Sequence, residues 1–117
     1  TDNIAIIEIK SPVKQLLGKD YRQTYSLSEE LSGGVNQLLK QKQTLYRSYA
    51  NLIAELDERF EANNIECILL IGTLGSLTRE QRRVFDTYRN ELRSVKIVCF
   101  DELLHRIDNQ LALLEQP

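Results

Sequence analysis

"IAIIEIKSP", residues 4–12, decides how the chain folds and where its chemistry could sit. Alternation puts Ala5, Ile7 and Ile9 on one face of a strand, and Ile4, Ile6, Glu8 and Lys10 on the other. Both faces are largely apolar, which predicts an internal strand. Pro12 has no N–H to give to a ladder and ends it. Opposite charges on such a surface cost several kcal/mol per ion before pairing offsets the loss, so Glu8 and Lys10 need a structural or a chemical reason to be there.

Working outward, residues 11–27 read as an irregular polar connection, and Ser26 with Glu29 forms a capping box that starts a long helix. Its apolar stripe is Leu31, Val35, Leu38, Leu45, Tyr49, Leu52 and Leu56, flanked by Leu39, Tyr46, Ile53 and Phe60, and "ANN" at 62–64 ends it. Gly33 and Gly34 mark either a late start or a close backbone approach. "CILLIG", 67–72, is a continuous apolar run closed by glycine, the pattern of an interior strand. Thr78 and Gln81 form a capping box for a helix lined by Val84, Phe85, Tyr88 and Leu92. "KIVCF", 96–100, is the third strand, and Asp101 caps a last helix burying Leu103, Leu104, Ile107, Leu111 and Leu114. The β-α-β-α-β-α order predicts an α/β domain with a mixed or parallel sheet covered by helices.

At 117 residues with 42% hydrophobic content, the chain is the size of a single domain. No run is apolar and long enough to span a bilayer and no leader pattern is present, so a cytoplasmic protein without membrane contact is expected. Cys67 and Cys99 sit inside apolar runs and read as inert buried thiols. A net charge of −2 argues against nucleic-acid binding by bulk charge. Any such contact must be local. Lys10, Lys14, Lys19 and Arg22 form one basic stretch, whereas the arginines at 79–93 alternate with acids and read as a solvated helix surface.

Several chemistries drop out. "GTLG", 72–75, lacks the lysine and spacing of a P-loop and reads as a turn, and no GxGxxG occurs. His105, the single histidine, falls outside the apolar stripe of its helix and reads as a surface residue. Adjacent carboxylates such as Glu29 and Glu30 read as solvent-facing charge. Acid-x-base spacing recurs at Asp57/Arg59, Glu80/Arg82 and Glu91/Arg93, but in helices an offset of two points the side chains apart. On a strand, Glu8 and Lys10 share a face. A carboxylate to hold a hard cation and an ammonium to stabilise charge on water or phosphate suit metal-assisted phosphodiester hydrolysis, although an ordinary ion pair is the commoner meaning of such a pair.

"IIEIKSP", the basic connection, the helix with Gln37 in "GGVNQLL", then "ILLIG", "RRVFDTY" and "VKIVCFDELLHR" together resemble the nuclease domain of Shedu bacterial anti-phage defence proteins, over nearly the whole chain. That family lies in the PD-(D/E)xK superfamily, so the resemblance implies a restriction-endonuclease-like mixed central sheet flanked by helices and a Mg²⁺- or Mn²⁺-dependent DNA endonuclease. By position, Glu8 and Lys10 match the (D/E)xK element, the Ile9 carbonyl would complete the metal shell, and Gln37 matches the helix glutamine that orients groups at the site. Lys14, Lys19 and Arg22 would contact DNA. Gln41 stands where related nucleases often carry a tyrosine. The acid preceding Glu8 is Asp2, about 20 Å away along an extended strand and too far to share its ion. The expectation is therefore a single domain over 1–117 that forms the C-terminal part of a longer chain and is inactive alone. The alternative is a catalytically silent module for DNA binding or oligomerisation, with the long apolar helix as a self-association surface.

Overall fold

The computed structural model describes residues 4–55 and 65–116. Asp2, Leu56, the Asp57/Arg59 pair, Phe60 and the helix stop at 62–64 lie outside the described residues. Three strands form a parallel sheet in the order β1 (Ala5–Ile9), β4 (Glu66–Leu70), β5 (Lys96–Val98), with Glu8 level with Leu69 and Leu69 level with Ile97. The "CILL" run takes the central place, where a strand buried on both faces belongs. Its Cys67 and Leu69, with Ile71 beyond it, are sealed against the long helix.

β1 differs from the internal strand that its sequence suggests. Among the described residues its one neighbour is β4, and Ile7 and Ile9 are 58% and 67% exposed on the face away from the helix. Two apolar faces satisfy the sequence rule for an interior strand, but strand pairing sets position in a sheet, and β4 is already paired on both sides.

Residues 11–27 are more ordered than expected. They fold into an antiparallel hairpin, β2 (Leu17–Tyr21) and β3 (Thr24–Leu27), in a sheet of its own. Arg22 and Gln23 take φ of 46° and 68°, the left-handed pair needed at the centre of a two-residue turn. Neither is the glycine or asparagine that announces such a turn in sequence. Leu16 and Leu17, 1% and 5% exposed, root the hairpin in the core. The order is thus β-β-β-α-β-α-β-α, with the antiparallel pair separate from the parallel sheet rather than one mixed sheet.

α1 (Glu29–Glu55) packs on β1 and β4 through Leu31, Val35 and Leu38. Ser28, not Ser26, starts it. Ser28 Oγ accepts the Leu31 N–H at 3.1 Å, while the Ser26 hydroxyl donates to the Lys19 carbonyl inside the hairpin. Of the two glycines, Gly34 is the close approach, because a Cβ there would lie 2.9 Å from Leu69 Cδ1.

Beyond β4, a short 3₁₀ turn (Leu74–Ser76) leads to α2 (Arg79–Glu91), where the Thr78–Gln81 capping box forms as read, with bonds of 2.9 and 3.2 Å. α3 (Phe100–Glu115) starts at Cys99, whose N–H donates to Glu102. Asp101 does not cap it. Its carboxylate accepts the N–H groups of Leu74 and Gly75 at 3.0 and 2.9 Å and so ties the "GTLG" turn to α3. Burial opposes that charge, yet these backbone donors outweigh it and hold the Asp101 carboxyl below its ordinary range. The side of α3 expected to be buried is largely open, with Leu104, Ile107, Leu111 and Leu114 all exposed. Amphipathic spacing marks the face but does not supply a partner for it. No helix among the described residues is long and apolar enough to cross a membrane.

Both cysteines are free and buried, and burial pushes the Cys99 thiol up to about 12, which keeps it protonated and inert. Arg89 clamps three elements together. It lies 4.9 Å from the Phe85 ring centre, donates to the Ile97 carbonyl at 3.3 Å, and pairs with Asp86 and Glu102. Arg89→Ala strands the Glu102 carboxylate and should lower stability by about 2 kcal/mol. Urea denaturation followed by circular dichroism measures this, and a loss under about 0.5 kcal/mol would show that water replaces the guanidinium.

Candidate metal and phosphate site

β1 packs against α1, and the two elements bring an alternating row of charges together. Because side chains alternate along a strand, Ile6 and Glu8 face α1 while Ile7 and Ile9 face away. Gln37 stands on the turn of α1 opposite Glu8. With its amide nitrogen turned to the carboxylate, it donates to both oxygens, at 2.9 and 3.2 Å. Lys10, just past the strand end, places its ammonium 3.3 Å from Glu8 Oε1. Glu8 is thereby held from two sides, by an amide and by a cation.

The Lys10 ammonium also reaches Glu30 Oε2 at 3.7 Å, and the other Glu30 oxygen lies 3.5 Å from the Lys14 ammonium. The row reads Gln37, Glu8, Lys10, Glu30, Lys14. Side-chain exposure rises along it, from 16% at Glu8 and 25% at Lys10 to 44% at Glu30 and 45% at Lys14. The inner end is half-buried and the outer end opens to solvent. From Gln37 a groove of about 660 Å³ continues past Ile6, Lys40, Gln41, Thr44 and Ser48, so Gln41, in the position expected of a tyrosine, borders the same groove.

The structure thus brings Gln37, distant in sequence, to the neighbouring Glu8 and Lys10, and adds Lys14 through Glu30. It does not gather the rest of the basic stretch, since Lys19 lies in β2 and Arg22 in the hairpin turn, on the separate sheet. Ile9 could take part only through its backbone, since its side chain faces away from α1. The Lys10 N–H donates to Leu70 O and Ile4 O accepts from Glu66, so even-numbered residues turn their peptide groups to β4 and Ile9 turns its own to the open edge. Glu30, which reads with Glu29 as solvent-facing charge in the sequence, is instead paired to both Lys10 and Lys14. The signal was available, because Glu30 and Gln37 are seven residues apart, two helical turns, and therefore share a face.

As a metal site the donor set has the right chemistry, with a carboxylate and an edge carbonyl as hard oxygen donors and no competing soft ligand beside them. Its number is small. Among the described residues no group of three or more His, Cys, Asp and Glu side chains could hold an ion.

A family model described as Shedu protein SduA, C-terminal, matches residues 1–104, which contain every member of this row. The chain is also 35% identical over 118 aligned positions to the Shedu protein SduA of Bacillus cereus strain B4264. That alignment covers 94% of this chain and 31% of the relative, so the chain spans about a third of that protein's length.

Proposed function

The chain belongs to the Shedu SduA C-terminal family, and from that premise we propose that it is a metal-dependent DNA endonuclease domain acting in anti-phage defence. The observation that carries the reading is the convergence of Glu8, Lys10 and Gln37 from strand and helix onto one half-buried spot. Glu8 and the Ile9 carbonyl would hold a Mg²⁺ or Mn²⁺ ion, which when bound would supply an activated water and neutralise phosphate charge. Lys10 would stabilise charge developing on the phosphate, and Gln37 would keep the Glu8 carboxylate oriented. Lys14, at the open end of the row, would meet the DNA backbone, with Lys19 and Arg22 of the separate hairpin as further contacts. As a domain of this kind the chain would act in the cytoplasm. Homo-oligomers are part of the proposal, since Ile7, Ile9 and the α3 leucines offer apolar surface for a second copy.

Calorimetric titration of Mn²⁺ into a full-length Shedu protein carrying this domain and into its Glu8→Gln variant tests this reading, alongside plasmid cleavage by both, because the domain by itself is expected to be inactive. Glu8-dependent binding and cleavage support it, and their absence at millimolar metal would sink it. The rival reading is a silent module in which Glu8 and Lys10 are kept as an ion pair. One observation favours it: among the described residues no group of three or more His, Cys, Asp and Glu side chains could hold an ion.

A further inference from the structure

Glu30 has no role in the scheme above, yet it is the residue on which both lysines of the row converge. A first-turn acid favoured by the helix dipole would be an ordinary explanation. It does not account for the split of its two oxygens, one to Lys10 and one to Lys14. Glu29, its neighbour, also lies in the first turn and is exposed, so the dipole alone does not distinguish the two.

We propose that Glu30 is a positioning residue for Lys10, one that keeps the ammonium at the site when Glu8 turns to a metal ion, and that also restrains phosphate entry at Lys14. The inference rests on the proposed nuclease reading. Its physics is a competition for carboxylates. In the structure Lys10 has two anionic partners, Glu8 at 3.3 Å and Glu30 at 3.7 Å. With a divalent ion held by Glu8, the Lys10 ammonium would lose that partner and be repelled by the added positive charge. Glu30 is the partner that remains, on the second element of the site and outside the first contacts of Glu8. The same carboxylate occupies the Lys14 ammonium, so it weakens the DNA contact that Lys14 would make.

Removing the charge should therefore move two measurements in opposite directions. Glu30→Gln should bind a labelled duplex about three- to fivefold tighter without metal at low salt, the scale of one partly exposed ion pair. Raising the salt should shrink that gain. Single-turnover cleavage by the same variant should be about tenfold slower, because Lys10 is less confined. Glu29→Gln makes the same change in net charge one residue away and should do neither. In a Lys14→Ala background the tighter binding of Glu30→Gln should disappear.

Opposite signs cannot come from a variant that simply fails to fold. The inference is overturned if binding and cleavage fall together, if Glu29→Gln behaves like Glu30→Gln, or if the tighter binding persists without Lys14. The two layers also separate. A full-length wild type without Glu8-dependent cleavage removes the proposed function and this inference with it, whereas an active full-length wild type matched by Glu30→Gln in both assays removes this inference alone.

Discussion

Lys10→Ala is expected to lower single-turnover DNA cleavage by about 10²–10³-fold while leaving Mn²⁺ affinity close to that of the wild type. The asymmetry follows from where the ammonium acts. Lys10 touches the Glu8 carboxylate and carries positive charge, so removing it takes nothing from the ion's ligands and relieves some repulsion. What is lost is stabilisation of charge that appears on the phosphate in the transition state. Gln37→Ala removes orientation, not charge, and should cost less, since Glu8 keeps its strand position without the amide. Measuring both variants in one assay ranks them. An unchanged rate for Lys10→Ala would exclude it from catalysis, and a larger loss at Gln37 would reverse the roles assigned here.

Gly72→Val should destabilise the fold by about 3 kcal/mol or more, through two additive causes. Gly72 has φ of +62°, which a β-branched residue cannot adopt without strain. A Cβ there would also lie 2.8 Å from the Lys14 carbonyl oxygen and 2.9 Å from Leu16 Cδ2. The first of these is backbone and cannot turn aside. Gly72 also joins segments, its N–H donating to Ser11 and its carbonyl accepting from Phe100. The damage should therefore reach the 11–14 connection that carries Lys14, and DNA affinity should fall with stability. Gly33→Ala is the contrast. Nothing lies within 4 Å of a Cβ at Gly33, so that substitution should stabilise by about 0.5–1 kcal/mol. Thermal and urea denaturation of the two variants decides the matter. A Gly72→Val protein as stable as wild type would mean that the turn rearranges freely.

The relation between sequence and structure differs from element to element. Where one local rule dominates, reading succeeds, as with the apolar "CILL" strand, the Thr78–Gln81 cap and the buried thiols. It fails where two local rules compete. Ser26 and Ser28 can both cap a helix, and the choice falls to Ser28 because Ser26 is engaged by the hairpin. Asp101 is a good cap by type, yet the N–H groups of Leu74 and Gly75, distant in sequence, claim it. The hairpin at 17–27 was hidden because its turn uses Arg22 and Gln23 in place of the residues that prefer left-handed backbone.

The site follows the same division. Sequence determined that Glu8 and Lys10 share one face of a strand, because the side-chain period of two holds whatever the strand pairs with. It also determined that Gln37 and Glu30 share one face of α1, because two turns of helix bring seven residues nearly into line. Only the tertiary structure decided that those two faces meet, that Lys10 has a second carboxylate in Glu30, and that β1 is an outer strand with Ile7 and Ile9 open to solvent. The physical reason is range. Periodicity acts over a few residues of one element, whereas the close approach of α1 to the sheet, where Gly34 admits Leu69 of β4, joins distant parts of the chain.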